Sequence, residues 1–172
     1  KLATGTIGNV SSGAIDGYYT SDYKNYKLIV NNLRNSNASR QLYWRFRASN
    51  TSLTAGNYRF VENSNYNNSG NTSNTSSTKG WDANNFYNGW DLSTGSDRGM
   101  HFEMEIYDPQ KTGTNKHMKF SYTQDVSDAT YIVMGDGGGY YNGSSGAHSG
   151  IELFPQADNF ASGDWYLYGI KG

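Results

Sequence analysis

Trp81, Phe86, Tyr87 and Trp90 crowd into the segment GWDANNFYNGW, with Asp82 and Asn85 between them, and Tyr140, Tyr141 and Asn142 follow in GDGGGYYNGSSG. Aromatic faces set beside amide and carboxylate groups can stack on a sugar ring while hydrogen-bonding its hydroxyls. The candidate ligand-binding set is therefore Trp81, Asp82, Asn85, Tyr87, Trp90, Tyr140, Tyr141 and Asn142. The competing reading is that Trp81 and Trp90 plug the end of a sandwich, since an indole is large enough for either task.

Other chemistries find less support. Glu103 and Glu105 share one face of an alternating segment and could be imagined as a glycosidase pair, but alternate positions on a wet strand are where carboxylates normally sit. His101, His117 and His148 lack a second ligand at a diagnostic spacing and are expected to be lone exposed side chains. Asp16, Asp82, Asp91, Asp97 and Asp136 lie beside Asn and Gly, in oxygen-rich surroundings of the kind calcium uses, yet turn chemistry accounts for each and the EF-hand spacing is absent. The GDGGG stretch lacks the Gly-Lys-Ser/Thr ending of a phosphate-binding loop, and no Gly-x-Ser-x-Gly elbow is present. No catalytic residue, metal or cofactor is predicted, and the chain is expected to act by binding or assembly rather than as an enzyme.

These residues must be carried by strands. Aromatics make up 15% of the 172 residues, and Gly, Asn, Ser and Thr punctuate the chain while good helix formers are sparse. The net charge of −1 offers no field to recruit nucleic acid or an anionic membrane, and no apolar run is long enough to span a bilayer as a helix. Without cysteine there is no disulfide framework, so stability is expected from packing or oligomerisation. Seven Asn-x-Ser/Thr triplets, including Asn37, Asn50, Asn71 and Asn142, are what chance supplies in so Asn/Ser/Thr-rich a chain. The chain starts at Lys1 rather than Met, and is expected to be a piece of a longer polypeptide.

Residues 1–25 read as an arm or linker with one short strand near Ile15. Tyr26–Leu33 reads as a buried strand with Leu28, Ile29 and Val30 packed together. Gln41–Ala48 alternates, with Leu42, Trp44, Phe46 and Ala48 inward, and Met100–Tyr107 alternates with Met100, Phe102, Met104 and Ile106 inward. Asn57–Val61, Lys116–Thr123, Tyr131–Met134, Ile151–Phe154 and Asp164–Ile170 complete a set of roughly eight strands. The polar tract 63–78 and the glycine-rich stretch 135–150 are expected to be long exposed loops that carry recognition. One all-β domain over 1–172 follows, an antiparallel two-sheet sandwich or jelly roll.

YKNYKLIVNNL at Tyr23–Leu33, LYWRF at Leu42–Phe46, FEMEIYDP at Phe102–Pro109 and ASGDWYLYGIK at Ala161–Lys171 together resemble the β-sandwich domains of fibre and appendage proteins of tailed phages, particularly marine and cyanobacterial ones. The resemblance implies a concanavalin-like sandwich in a virion structural protein, located on the virion and therefore extracellular. It implies partners as well: copies of the same chain in a homotrimer, other virion proteins, and a glycan or receptor on the host surface. A capsid-decorating or architectural module of the same fold, and a secreted carbohydrate-binding module, are the alternatives.

Overall fold

The computed structural model describes residues 1–37, 40–68, 73–96, 98–126, 131–143 and 146–172. These form β1 (Ala3–Thr6), β2 (Gly13–Asp16), β3 (Asn25–Asn35), β4 (Arg40–Ala48), β5 (Thr51–Ser52), β6 (Tyr58–Asn68), β7 (Ser73–Ala83), β8 (Phe86–Leu92), β9 (Met100–Tyr107), β10 (Lys116–Val126), β11 (Tyr131–Tyr141), β12 (Gly150–Pro155) and β13 (Phe160–Ile170). There is no helix among the described residues. The strands form two antiparallel sheets. The larger has eight strands in the order β1-β13-β3-β9-β10-β11-β6-β7, and the smaller runs β2-β12-β4-β5 with β8 also paired to β4.

The sheets pack face to face because each alternating strand offers one apolar side that only the other sheet can cover. Trp44 lies at the centre, fully buried, with the rings of Phe120, Phe102 and Phe86 at 4.8, 5.2 and 6.0 Å. Its indole N–H reaches Met118 Sδ at 3.3 Å, so the one polar atom of this core ring is not left bare. Leu42, Trp44, Phe46, Met100, Phe102, Met104 and Ile106 face inward as their spacing predicts. Ala48 is only half-buried, at the end of its strand.

Three expectations need correction. In β3 the apolar triplet does not pack as a block: Leu28 and Val30 are buried, whereas Ile29 points to the outer face. A bulge between Val30 and Leu33, with Asn32 at φ 53°, then shifts the alternation so that Leu33 and Asn35 turn inward. Second, residues 1–25 are woven into the fold. β1 pairs with β13, β2 pairs with β12, and Ile7, Ile15 and Tyr19 are buried in the core.

Third, the two supposed loops are mostly strand. Residues 58–68 and 73–83 pair as a long hairpin, from Asn67↔Ser73 to Tyr58↔Ala83, and β11 runs without a break through GDGGGYY. Gly135, Gly137 and Gly139 have no room for a side chain, because Tyr122, Phe120 and Phe60 with their neighbouring backbone fill the space. A Cβ on Gly135 would lie 2.4 Å from the Tyr122 ring, one on Gly137 2.6 Å from the Phe120 ring, and one on Gly139 2.6 Å from Phe60 Cβ. Backbone pairing with β10 and β6 stabilises this stretch where local side-chain patterning cannot. Of the expected loop residues, 69–72, 144 and 145 lie outside the described residues.

Candidate functional site

The hairpin of β6 and β7 is regular until it nears the small sheet. Phe60 pairs with Gly80 and Tyr58 with Ala83, so Arg59 alone on β6 faces both Trp81 and Asp82 on β7. Two residues against one is a β-bulge, and Asp82 takes the left-handed conformation (φ 55°), which an Asp tolerates better than most residues. Strict alternation would send Trp81 and Asp82 to opposite faces. The bulge instead brings both to Arg59.

The Arg59 guanidinium carbon lies 4.2 Å from the centre of the Trp81 ring, and its nitrogens hold Asp82 Oδ1 at 2.9 Å. A third nitrogen donates to the Tyr140 hydroxyl at 3.4 Å, and the Tyr140 ring rests 5.4 Å from His117. Hydrogen bonds to Tyr140 and to Asp82 hold the guanidinium protonated even more firmly than usual. With Arg59 on one face, Trp81 is still 74% exposed, so its other face is open to a ligand. Beside it lies a cleft of about 580 Å³ lined by Val61, Lys79, Gly138 and Gly139 as well as the Arg59, Trp81 and Tyr140 side chains.

The candidate set therefore divides. Trp81, Asp82 and Tyr140 come together around Arg59. Tyr87 is half-buried at the seam between sheets, its ring 4.9 Å from Phe60 and 5.5 Å from Tyr43, with its hydroxyl donating to the Lys79 carbonyl at 3.4 Å. Trp90 packs 4.7 Å from Tyr66 and donates to Ser64 Oγ at 2.7 Å, so it is the structural indole of the two. Asn85 is half-buried and bonds the Phe86 carbonyl in the turn. Tyr141 is buried against Tyr58 and Phe46, and its pKa is raised by burial. Asn142 is exposed, its backbone N–H donating to the Asn57 backbone carbonyl, and it does not line the cleft. Arg59, Val61 and Lys79 were missed. The alternation in YRFV signals that Arg59 and Val61 share a face, but only the hairpin pairing shows which aromatic they meet.

The remaining candidates also find places. Glu103 and Glu105 stand on the outer face as expected, tied to Lys27 at 2.7 Å and Lys119 at 3.1 Å. His101 and His117 are exposed, but His148 is fully buried 5.0 Å from Phe46, contrary to expectation, because it packs as an aromatic ring. Asp16, Asp82, Asp91 and Asp136 belong to strands rather than turns, with Asp16 in a 2.6 Å ion pair with Arg47; Asp97 lies outside the described residues. No group of three or more His, Cys, Asp or Glu able to hold a metal exists among the described residues. The chain matches no protein-family model, no curated protein and no solved structure.

Proposed function

We propose that this domain is a glycan-binding module of a phage tail fibre or virion appendage, working as a homotrimer that attaches the virion to the host surface. The observation that carries the reading is Trp81: a large ring, three-quarters exposed, held from behind by an arginine whose charge Asp82 already balances. A protein gains little stability from displaying such a ring, whereas a sugar gains a flat apolar platform with Tyr140 and Lys79 at its margin to meet hydroxyls. The sequence resemblance supplies the virion setting, and a trimer would multiply weak single-site contacts. The domain acts by binding, not catalysis.

The test is Trp81→Ala, compared with the parent for binding to intact candidate host cells and to immobilised glycans. The exposed ring buries about a quarter of its roughly 200 Å² against the protein, worth ~1 kcal/mol, and the Arg59 contact, open to solvent, adds little to that. The variant should therefore fold, lose no more than about 2 kcal/mol of stability, and bind at least about tenfold more weakly. Undiminished binding by a folded Trp81→Ala protein refutes the site.

A further inference from the structure

We infer that this site, taken as a glycan site as proposed above, grips an internal stretch of a linear, uncharged polysaccharide laid across the outer face of the large sheet, rather than the end of a chain. The cleft beside Trp81 does not stand alone. A second depression of about 380 Å³ is lined by Glu103, Glu105, Lys119, Ser121 and Asp136, and a third of about 360 Å³ by His101, Thr123, Met134 and Asn65. The second and third share Glu103, Ser121 and Asp136. The first shares no lining residue with the second, but the cross-strand row Lys79↔Val61↔Gly138↔Lys119↔Glu105 runs from one to the other and lacks a side chain at Gly138. A Cβ there would have nothing closer than the Met118 carbonyl at 3.1 Å, so this glycine is not demanded by packing in the way Gly139 is. Taken together as one trough, the three depressions cross the strands from β7 to β9, a span of about 19 Å at ~4.8 Å per strand spacing.

The chemistry of the trough argues for the class of ligand. Recognition of a chain end calls for an enclosed pocket whose buried polar groups are left unpaired by the wrong ligand. Here Asn65, Ser121, Thr123 and Asp136 are all exposed along an open floor, suited to passing hydroxyls. The charges cancel: Glu103 is paired with Lys27, Glu105 with Lys119, and Asp82 with Arg59. Lys79 and Asp136 make no ion pair among the described residues, and they are of opposite sign. A polyanion would meet Asp136 and a polycation Lys79, while a neutral glycan can donate to one and accept from the other. Val61 and Met134, 52% and 60% exposed, offer apolar contact to ring C–H groups along the way.

The experiment titrates the intact domain with size-graded neutral linear oligosaccharides (cello-, laminari-, xylo-, manno- and chito-series) and with alginate and a sulfated galactan as charged controls. At least one neutral series should gain about tenfold or more in affinity from disaccharide to hexasaccharide, with little change on adding salt. Ser121→Trp, a bulky ring on the exposed face of β10 in the middle of this floor, should change that gain from disaccharide to hexasaccharide. Full affinity already at the disaccharide, indifference to Ser121→Trp, or preference for the charged polymers with salt-sensitive binding overturns this inference but leaves Trp81 as a sugar platform. Failure of every glycan to bind overturns both.

Discussion

Adjacent glycines of β11 should respond in opposite ways to the same added methyl group. At Gly139 the new Cβ would stand 2.3 Å from the Arg59 carbonyl oxygen and 2.6 Å from Phe60 Cβ. Since ordinary C···O contacts begin near ~3.3 Å, β11 and β6 would have to part by about 1 Å, at a cost of ~1–3 kcal/mol for overpacking and ~1 kcal/mol for each ladder bond loosened. Lower backbone entropy in the unfolded chain returns about 0.5–1 kcal/mol, leaving Gly139→Ala less stable by roughly 2–4 kcal/mol. At Gly138 the Cβ points to solvent, 3.1 Å from the Met118 carbonyl, and a shift of a few tenths of an ångström accommodates it. Gly138→Ala should lie within about 1 kcal/mol of the parent. At about 2–4 °C per kcal/mol for a domain of this size, calorimetry should find Gly139→Ala about 5–15 °C lower in Tm and Gly138→Ala within about 4 °C. Urea unfolding followed by tryptophan fluorescence should agree, with the slope m unchanged. Equal destabilisation by both, or the reverse order, would mean that the inward and outward faces of β11 are misassigned, and the trough with them.

Phe102→Asp places a carboxylate in the centre of the core against Trp44 and Phe120; it should cost more than about 4 kcal/mol or prevent folding, read by soluble yield and urea titration, and an unperturbed variant would overturn the facing of β9. Arg59→Lys keeps the charge but loses the planar stack on Trp81 and the fork on Asp82, so indole emission should shift while the domain stays folded; an unchanged spectrum would refute the stack. The Lys27 ammonium, against a weaker effect of burial, holds the Glu103 carboxyl below the usual carboxylate value. Between the folded pKa and the unfolded value of about 4.3, the unfolded chain binds more protons, so this pair stabilises above that window and its contribution is lost as pH falls through it. Glu103→Gln should thus flatten the acid limb of the stability–pH curve by at most ~1 kcal/mol for a partly exposed pair, and an acid limb identical to the parent's would show the pair to be inert.

The order of inward and outward residues was legible in the sequence wherever apolar and polar side chains alternate, as in Leu42–Trp44–Phe46 and Met100–Phe102–Met104–Ile106, because period-two patterning is a local consequence of the pleat and one face must be buried. The tracts 63–78 and 135–141 carry no such pattern and read as loops. Residues 63–68, 73–78 and 135–141 are strands because their backbone groups pair with other strands, and because Tyr122, Phe120 and Phe60 cover glycines that have no side chain to announce their facing. The site divides along the same line. Trp81 and Tyr140 were recognisable as aromatics in polar company, and Trp81 and Trp90 were interchangeable on that evidence. The tertiary structure separated them: β8, paired with β4, lays Trp90 against Ser64 and Tyr66, while the pairing of β6 with β7 brings Arg59 beneath Trp81 at a bulge. Composition and alternation determine that this chain must form apposed sheets; strand register, which depends on contacts far apart along the chain, decides which aromatic is left facing water.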